Sequence, residues 1–387
     1  MAKGRAIMVR RPVLGILTLG AVAAAFGGVA AVGGPTAGAQ APPGVEIDVA
    51  GNFAGDEREE LFAYVGGTFT DVMVSFTNGG TSGGDITWEE FPFQVNGSYE
   101  PVAGNFDGDG YDEILWYGPG SMPDRLWNFS GGFTSAAVTS TVVTVSGNYW
   151  PLVGDFTGDG VEDVFWYGPG SLPDAMWDFN ADGGRTSRAV NVSGSYVPIT
   201  GSFGRDATDD VIWYRAGSGS DSMWDFVIGS ASFRSTALSV NGVYEPFSLD
   251  MFADGPQGGD VFWYAPGSRG DVVWDFVFGS RVSVPEAVNG TYGTLAGDFL
   301  GDGHDDIFWF DATGFRFWDH APDGSGGVDR WSYRFVAGAA VTSASRSAGA
   351  AVPGEGPVRE GSGFPVGQVP GITATGGPAA VTRPARG

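Results

Sequence analysis

The sequence predicts an all-β fold assembled from repeated four-stranded units. Three observations carry that prediction. A Gly-Asp-Phe-like tripeptide returns six times at intervals of 47–53 residues, tryptophans follow it at nearly fixed distances, and turn signals leave little room for helical periodicity. With 66 glycines and only 17% charged residues, the 387-residue chain suits short strands joined by many turns.

The tripeptide reads Gly51-Asn52-Phe53, Gly104-Asn105-Phe106, Gly154-Asp155-Phe156, Gly201-Ser202-Phe203, Asp250-Met251-Phe252 and Gly297-Asp298-Phe299. Ten residues after Phe106, Phe156, Phe203 and Phe299 stand Trp116, Trp166, Trp213 and Trp309; in the fifth copy Trp263 comes eleven residues on. A second tryptophan follows each of these, as Trp127, Trp177, Trp224, Trp274 and Trp318.

Each unit then divides into four strands. The first ends on the tripeptide. The second is a continuous apolar run such as Asp163-Val164-Phe165-Trp166-Tyr167, the pattern of a strand covered on both faces. The third alternates, as in Met176-Trp177-Asp178-Phe179, after a tight turn marked by Gly-Pro-Gly-Ser at 118–121 and 168–171. The fourth closes on Val-Ser/Asn-Gly before a tyrosine, as at Val192 to Tyr196.

Four strands per repeat of roughly 40–50 residues is the mark of a propeller blade. One blade leaves both sheet faces uncovered, so blades must pack radially on one another, and the tryptophans are expected at those contacts. Blades are expected at about 45–97, 98–147, 148–194, 195–242, 243–290 and 291–338, none lacking a strand. Residues 339–387 are long enough for a seventh blade, but hold a single aromatic, Phe364, and read as a disordered tail rich in Gly, Ala and Pro.

The N-terminus reads as a signal peptide over residues 1–39. Lys3, Arg5, Arg10 and Arg11 precede an apolar run from Val13 to Val32, and Ala37-Gly38-Ala39 offers a cleavage site before a short leader at 40–44. The expected location is therefore extracellular, with no membrane span after cleavage. The chain has no cysteine, so neither disulfides nor thiolate-held zinc can brace it there. Its net charge is −25, and near −29 without the four basic residues of the signal peptide. That charge opposes nucleic-acid backbones and favours bound cations.

The carboxylates concentrate between strands one and two. In the third unit Asp155, Thr157, Asp159 and Asp163 stand at positions one, three, five and nine of a loop with Gly160 at six. Oxygen donors at that spacing, with a glycine turn and a free carbonyl at position seven, suit calcium, which takes six to eight oxygens. The second unit offers Asn105, Asp107, Asp109 and Glu113; the sixth offers Asp298, Asp302 and Asp306. The first keeps Asn52, Asp56 and Glu60 but has Ala54 at three and Glu57 at six, a weaker set. The fourth (Ser202, Gly204, Asp206, Asp210) and the fifth (Met251 at position one, with an extra residue before Asp260) depart furthest from the pattern. Calcium is expected in units two, three and six, in a structural role.

These loops resemble those of the FG-GAP, or VCBS, repeat family, whose blades carry D-x-[DN]-x-D-G-x-x-D and include the integrin α-chain propeller and some sugar-binding lectins. The resemblance covers residues 45–338. It implies a propeller with calcium on one rim and a binding surface among its exposed loops, without naming the partner.

Little in the chain points to catalysis. His304 lies at position seven of the sixth loop, and His320 is the only other histidine. The G-x-S-x-G match at Gly80–Gly84 lacks the strand–turn–helix setting of a nucleophile elbow. The expected function is an extracellular binding module for a protein or a glycan. A lectin is the alternative reading, and a polysaccharide hydrolase or lyase is a more distant one. Glu100, Trp150, Val197, Glu245 and Gly293 share one variable position before or at the inner strand, where Trp150 could stack on a sugar ring.

Overall fold

The computed structural model describes residues 46–64, 71–78, 87–120, 122–133, 137–217, 219–253, 255, 258–311, 314–322 and 328–336, and the short pieces 358–359 and 380–381. The expected signal peptide and leader, the G-x-S-x-G match and all but those last pieces of the expected tail lie outside the described residues.

Six antiparallel sheets follow one another along the chain, each built from four consecutive strands. Blade 1 comprises Glu46–Gly51, Glu60–Tyr64, Asp71–Asn78 and Thr87–Phe93, and blade 2 comprises Glu100–Gly104, Glu113–Tyr117, Asp124–Phe129 and Val138–Val143. Blade 3 runs Trp150–Gly154, Asp163–Tyr167, Asp174–Phe179 and Arg185–Val190; blade 4 runs Val197–Gly201, Asp210–Tyr214, Asp221–Val227 and Ser230–Leu238. Blade 5 runs Glu245–Leu249, Asp260–Tyr264, Asp271–Val277 and Ser280–Glu286. Blade 6 runs Gly293–Gly297, Asp306–Asp311, Gly314–Pro322 and Val328–Val336, and its last strand also pairs with Val358–Arg359 and Ala380–Val381. The first strands of neighbouring blades touch all the way round, and that of blade 6 touches that of blade 1. The protein is a six-bladed β-propeller.

Burial grades outward from the axis as the sequence pattern requires. The second strands of blades 1 to 5 are buried along their whole length, whereas the fourth strand of blade 3 is mostly exposed. The column tryptophans fill the gaps between blades. Trp166, Trp213, Trp263 and Trp309 each set an edge against a tyrosine of the preceding blade (Tyr117, Tyr167, Tyr214, Tyr264) at 5.0–5.2 Å, and Trp116 meets Tyr64 at 5.2 Å. Each also meets the second tryptophan of its own blade, at 5.1 Å for Trp116–Trp127 and 4.7 Å for Trp263–Trp274.

A second ring of contacts uses the tripeptide phenylalanine. Phe53, Phe106, Phe156 and Phe203 pack on Phe129, Phe179, Phe226 and Phe276 of the following blade at 5.0–5.1 Å. Phe299 of blade 6 meets Phe76 of blade 1 at 5.7 Å, so the same contact closes the circle. Between blades 5 and 6 the pair is replaced, because His320 stands where the other blades have phenylalanine and Met251 takes the inner place. Among the described residues no strand is exchanged to close the ring.

Candidate metal centre

The acidic loops join strands one and two and lie together on one rim. Their backbone needs left-handed residues at positions four and six. Glycine supplies both in blades 2, 3 and 6, with φ of 73° and 93° at Gly108 and Gly110, and 73° and 88° at Gly158 and Gly160. Blade 1 keeps Gly55 but forces Glu57 to φ 72° at position six.

Within each loop the first residue acts as an anchor for the turn. In blade 3, Asp155 accepts hydrogen bonds from the backbone N–H groups of Gly158 (2.6 Å), Asp159 (3.1 Å) and Gly160 (2.9 Å). In blade 6, Asp298 accepts from Gly301 (2.7 Å), Asp302 (3.0 Å) and Gly303 (3.0 Å). Asp159 and Asp302 each accept from the N–H two residues on, at 3.0 and 3.1 Å. The carbon skeletons are thus held by the backbone, with oxygens turned inward.

The ninth residue separates the blades. Asp163 and Asp306 are fully buried; one oxygen of each accepts from the third strand (Phe179 N and His320 N, both 3.0 Å), and the other makes no hydrogen bond. Glu113 is also fully buried: Oε2 accepts from Phe106 N at 2.7 Å, and Oε1 makes none. Thr157 Oγ1 in blade 3 is a further buried oxygen without a partner. In blade 1 both oxygens of Glu60 are used, by Ala54 N (3.0 Å) and Ser75 Oγ (3.1 Å). In blade 4 Asp210 accepts from Phe203 N (3.0 Å) and Phe226 N (2.8 Å).

Burial sets the protonation of these groups. It pushes the Glu113 carboxyl from 4.5 up to about 9, with Asp107 adding repulsion, and the Asp163 carboxyl from 3.8 up to about 8. Asp306 is also held well above the usual range, first by burial and then by Asp319 and Asp302. Leaving a buried anion unpaired costs several kcal/mol, roughly, so each leftover oxygen calls for a proton or a cation.

In blade 2 one oxygen each of Asp107, Asp109 and Glu113 lie within 4.8 Å of one another, close enough to share one ion. Asn105 Oδ1 accepts from Gly108 N at 2.8 Å, and Asn128 Nδ2 of the third strand donates to Asp107 Oδ2 at 2.6 Å. All donors in blades 2, 3 and 6 are oxygens, the set that suits a hard cation such as calcium. Asn52 and Asp56 of blade 1 make the same own-loop bonds, accepting from Asp56 N (3.1 Å) and Arg58 N (3.2 Å).

The structure corrects the fifth loop. Asp250, not Met251, occupies position one: its N–H donates to Asp305 Oδ2 (2.7 Å), just as Asp155 N donates to Asp209 Oδ2 (3.0 Å). Met251, fully buried, takes the place of the tripeptide phenylalanine, and its N–H donates to Asp260 Oδ2 at 2.9 Å. The sequence alignment had slipped by one residue because Phe252 mimics the repeat.

Two further columns escaped the sequence reading. One is position eight, which stitches the loops into a belt. The N–H of Asp112, Glu162, Asp209, Gly259, Asp305 and Glu59 donates to the position-one carbonyl of the preceding blade at 2.8–3.0 Å, round all six interfaces. Carboxylates of Asp112, Glu162, Asp209 and Asp305 return the bond to the position-one N–H at 2.6–3.0 Å. The other is the residue after the second tryptophan: Asn128, Asp178, Asp225, Asp275 and Asp319, with Ser75 in blade 1. It faces the ninth carboxylate from the third strand. Its regular W-D/N-F pattern was the available signal.

Trp150 opens the inner strand of blade 3 at the end away from the acidic loop. It is half-buried, with its ring edge-on to Tyr167 at 6.1 Å. His304 turns its ring across the blade boundary, Nδ1 lying 2.8 Å from the Met251 carbonyl oxygen.

Fold and loops together define a six-bladed β-propeller with acidic inter-strand loops on one rim. The family model for the FG-GAP-like repeat matches residues 105–166, from position one of the blade 2 loop to the column tryptophan of blade 3. The chain is an FG-GAP repeat-containing protein. No curated protein matches it.

Proposed function

We propose that this propeller is exported, binds calcium in the loops of blades 2, 3 and 6, and serves as an extracellular interaction module. One observation carries the calcium reading: Glu113, Asp163 and Asp306 each keep a buried oxygen without a hydrogen bond, while their counterparts Glu60 and Asp210 do not. The residues that would hold the ions are Asn105, Asp107, Asp109 and Glu113; Asp155, Thr157, Asp159 and Asp163; and Asp298, Asp302 and Asp306. All come from closed loops fastened by their own backbone, which favours a structural over a catalytic ion. Bound calcium would neutralise the carboxylates and add its binding free energy to the fold.

Export is supported by the N-terminal pattern of basic residues, apolar run and A-x-A site. No helix among the described residues is long and apolar enough to cross a membrane. The glycan alternative rests on the half-exposed ring of Trp150. Thermal melting with calcium and then with excess chelator tests the metal: the midpoint is expected to drop on chelation, and an unchanged midpoint sinks the reading. Screening the calcium-loaded protein and its Trp150→Ala variant on a glycan array separates a lectin from a protein-binding platform.

A further inference from the structure

In blades 1 to 5 the fourth strand is the last of its sheet among the described residues. An open sheet edge offers N–H and C=O groups to any further strand, and charged side chains or proline on the edge deter that pairing. Most edges of this propeller carry such guards. Blade 1 has Glu89, Glu90 and Pro92, blade 3 has Arg185 and Arg188, blade 4 has Arg234, and blade 5 has Arg281, Pro285 and Glu286. In blade 6 the strand carries Asp329, Arg330 and Arg334 and is itself paired with Val358–Arg359 and Ala380–Val381, so an edge of this propeller does accept added strands. Blade 2 ends on Val138-Thr139-Ser140-Thr141-Val142-Val143, which holds neither a charge nor a proline.

The composition and order of that strand suit pairing with itself. Valine and threonine are β-branched and favour a strand. Thr139, Ser140, Thr141 and Val142 are exposed, Val142 to 64%. Val138-Thr139-Ser140-Thr141-Val142 also reads the same in both directions. Two copies run antiparallel about a two-fold axis at Ser140 set Val138 opposite Val142, Thr139 opposite Thr141, and Ser140 opposite its own counterpart. Each cross-strand pair is then apolar on apolar or hydroxyl on hydroxyl, the kinds of pair that stabilise a sheet. The charges behind the edge are Asp124, opposite Val143, and Arg125, opposite Val142. Both lie one strand further in and at one end, so the two-fold axis keeps those of the two copies apart.

We propose that the outer edge of blade 2 is a self-association surface, on which a second copy of this chain docks by antiparallel pairing of residues 138–142. The joint is isologous and uses the same edge of both copies, so assembly stops at two. A single strand is a small joint beside the roughly 1,200–2,000 Å² of a stable interface, and two chains of charge −25 repel each other. The dimer is therefore concentration-dependent and tightens as salt screens that repulsion. Neither the acidic loops nor Trp150 takes part.

Sedimentation equilibrium of the full chain, from low to high micromolar concentration, reads the association. The mass is expected to climb from one chain towards two, and further at high salt. Ser140→Lys sets two like charges face to face on the axis; it is expected to stay monomeric throughout, with an unchanged melting midpoint because the position is exposed. The chain has no cysteine, so single substitutions read the register. Ser140→Cys is expected to give a disulfide-linked dimer on mild oxidation. Val142→Cys puts the two thiols four residues apart along the pair, about 13 Å, beyond the reach of a disulfide, and is expected to stay unlinked. A single mass at every concentration, a dimer that survives Ser140→Lys, oligomers larger than two, or linking of Val142→Cys in preference to Ser140→Cys would each overturn the proposal.

Discussion

Glu113→Gln should change the sign of its effect with calcium. Glu113 is fully buried, and its carboxyl is pushed from 4.5 to about 9 when no ion is present. At neutral pH the unfolded chain carries this group ionised, while the metal-free fold must take up a proton. One pKa unit corresponds to about 1.4 kcal/mol, so that uptake costs the metal-free protein up to about 3 kcal/mol. Glutamine carries no charge. Its amide oxygen can keep the 2.7 Å bond from Phe106 N, and its amide N–H₂ then replaces Oε1 on the side that feels Asp107.

In chelator the variant should therefore melt higher than wild type, by roughly 5 °C if the full term is realised in a chain of this size. With calcium the order reverses. The wild-type loop gains binding free energy of about 3 kcal/mol at a hundredfold excess over the dissociation constant, and the variant has lost one anionic ligand from the cluster of Asp107, Asp109 and Glu113. Differential scanning fluorimetry of both proteins, with calcium and with chelator, measures all four midpoints. A shift of the same sign in both conditions would refute the reasoning, because it would mean that Glu113 responds to packing alone.

The pH dependence follows from the same groups. Glu113 and Asp163 have folded values of about 9 and about 8, above their unfolded 4.5 and 3.8, so the stability they contribute is complete at acid pH and drains away as pH rises through the folded values. Urea midpoints in chelator should fall from about pH 5 to about pH 9, and saturating calcium should flatten or invert that slope. Glu57 holds φ 72°, so Glu57→Gly relieves backbone strain and should raise stability by a few tenths to about 1 kcal/mol, net of glycine's entropy. Glu162→Ala strips the 2.7 Å acceptor from Asn105 N at the boundary of blades 2 and 3; chemical denaturation should show a loss of about 1–3 kcal/mol, with or without calcium.

What could be read from the sequence was whatever repeats along a single strand or loop. The buried second strands announced themselves as apolar runs, and the tryptophan columns by their spacing. The loops of blades 2, 3 and 6 showed their oxygens at alternate positions. What stayed hidden depends on contacts between chain segments far apart. Nothing local distinguishes Asp209, which clamps Asp155 N of the preceding blade, from the adjacent Asp210, whose oxygens go to its own blade. Asp275 looked like the polar half of an alternating strand, and only the register of blade 5 sets it opposite Asp260. Phe252 misled the alignment because one aromatic after an acidic residue matches the tripeptide, whereas the hydrogen bond to Asp305 assigns position one to Asp250.

The formal charge of −25 resolves into groups with different needs. Asp124, Asp174, Asp221 and Asp271 open the third strands, and each gives both oxygens to backbone N–H groups of the turn and of the closing segment, as Asp124 does to Gly118 N (2.8 Å) and Val145 N (2.6 Å). The belt clamps at position eight are likewise committed to backbone donors. Fixed N–H dipoles of this kind hold a carboxylate in place without a counterion. The ninth column is where the accounts of the blades diverge. Burial raises the carboxyls of Glu60 and Asp210 as well as those of Glu113, Asp163 and Asp306, so the raised pKa alone does not mark a metal site. The reading rests instead on the oxygen without a hydrogen bond that Glu113, Asp163 and Asp306 keep within a loop carrying oxygen donors at positions one and five. Blades 1 and 4 show that the fold itself needs no such oxygen, since their ninth carboxylates are saturated and both blades still take part in the belt and the aromatic ring contacts. The same leftover oxygen stands at the ninth place of four blades, on Glu113, Asp163, Asp260 and Asp306, and the proposed calcium would give a partner to the three that lie in a complete acidic loop.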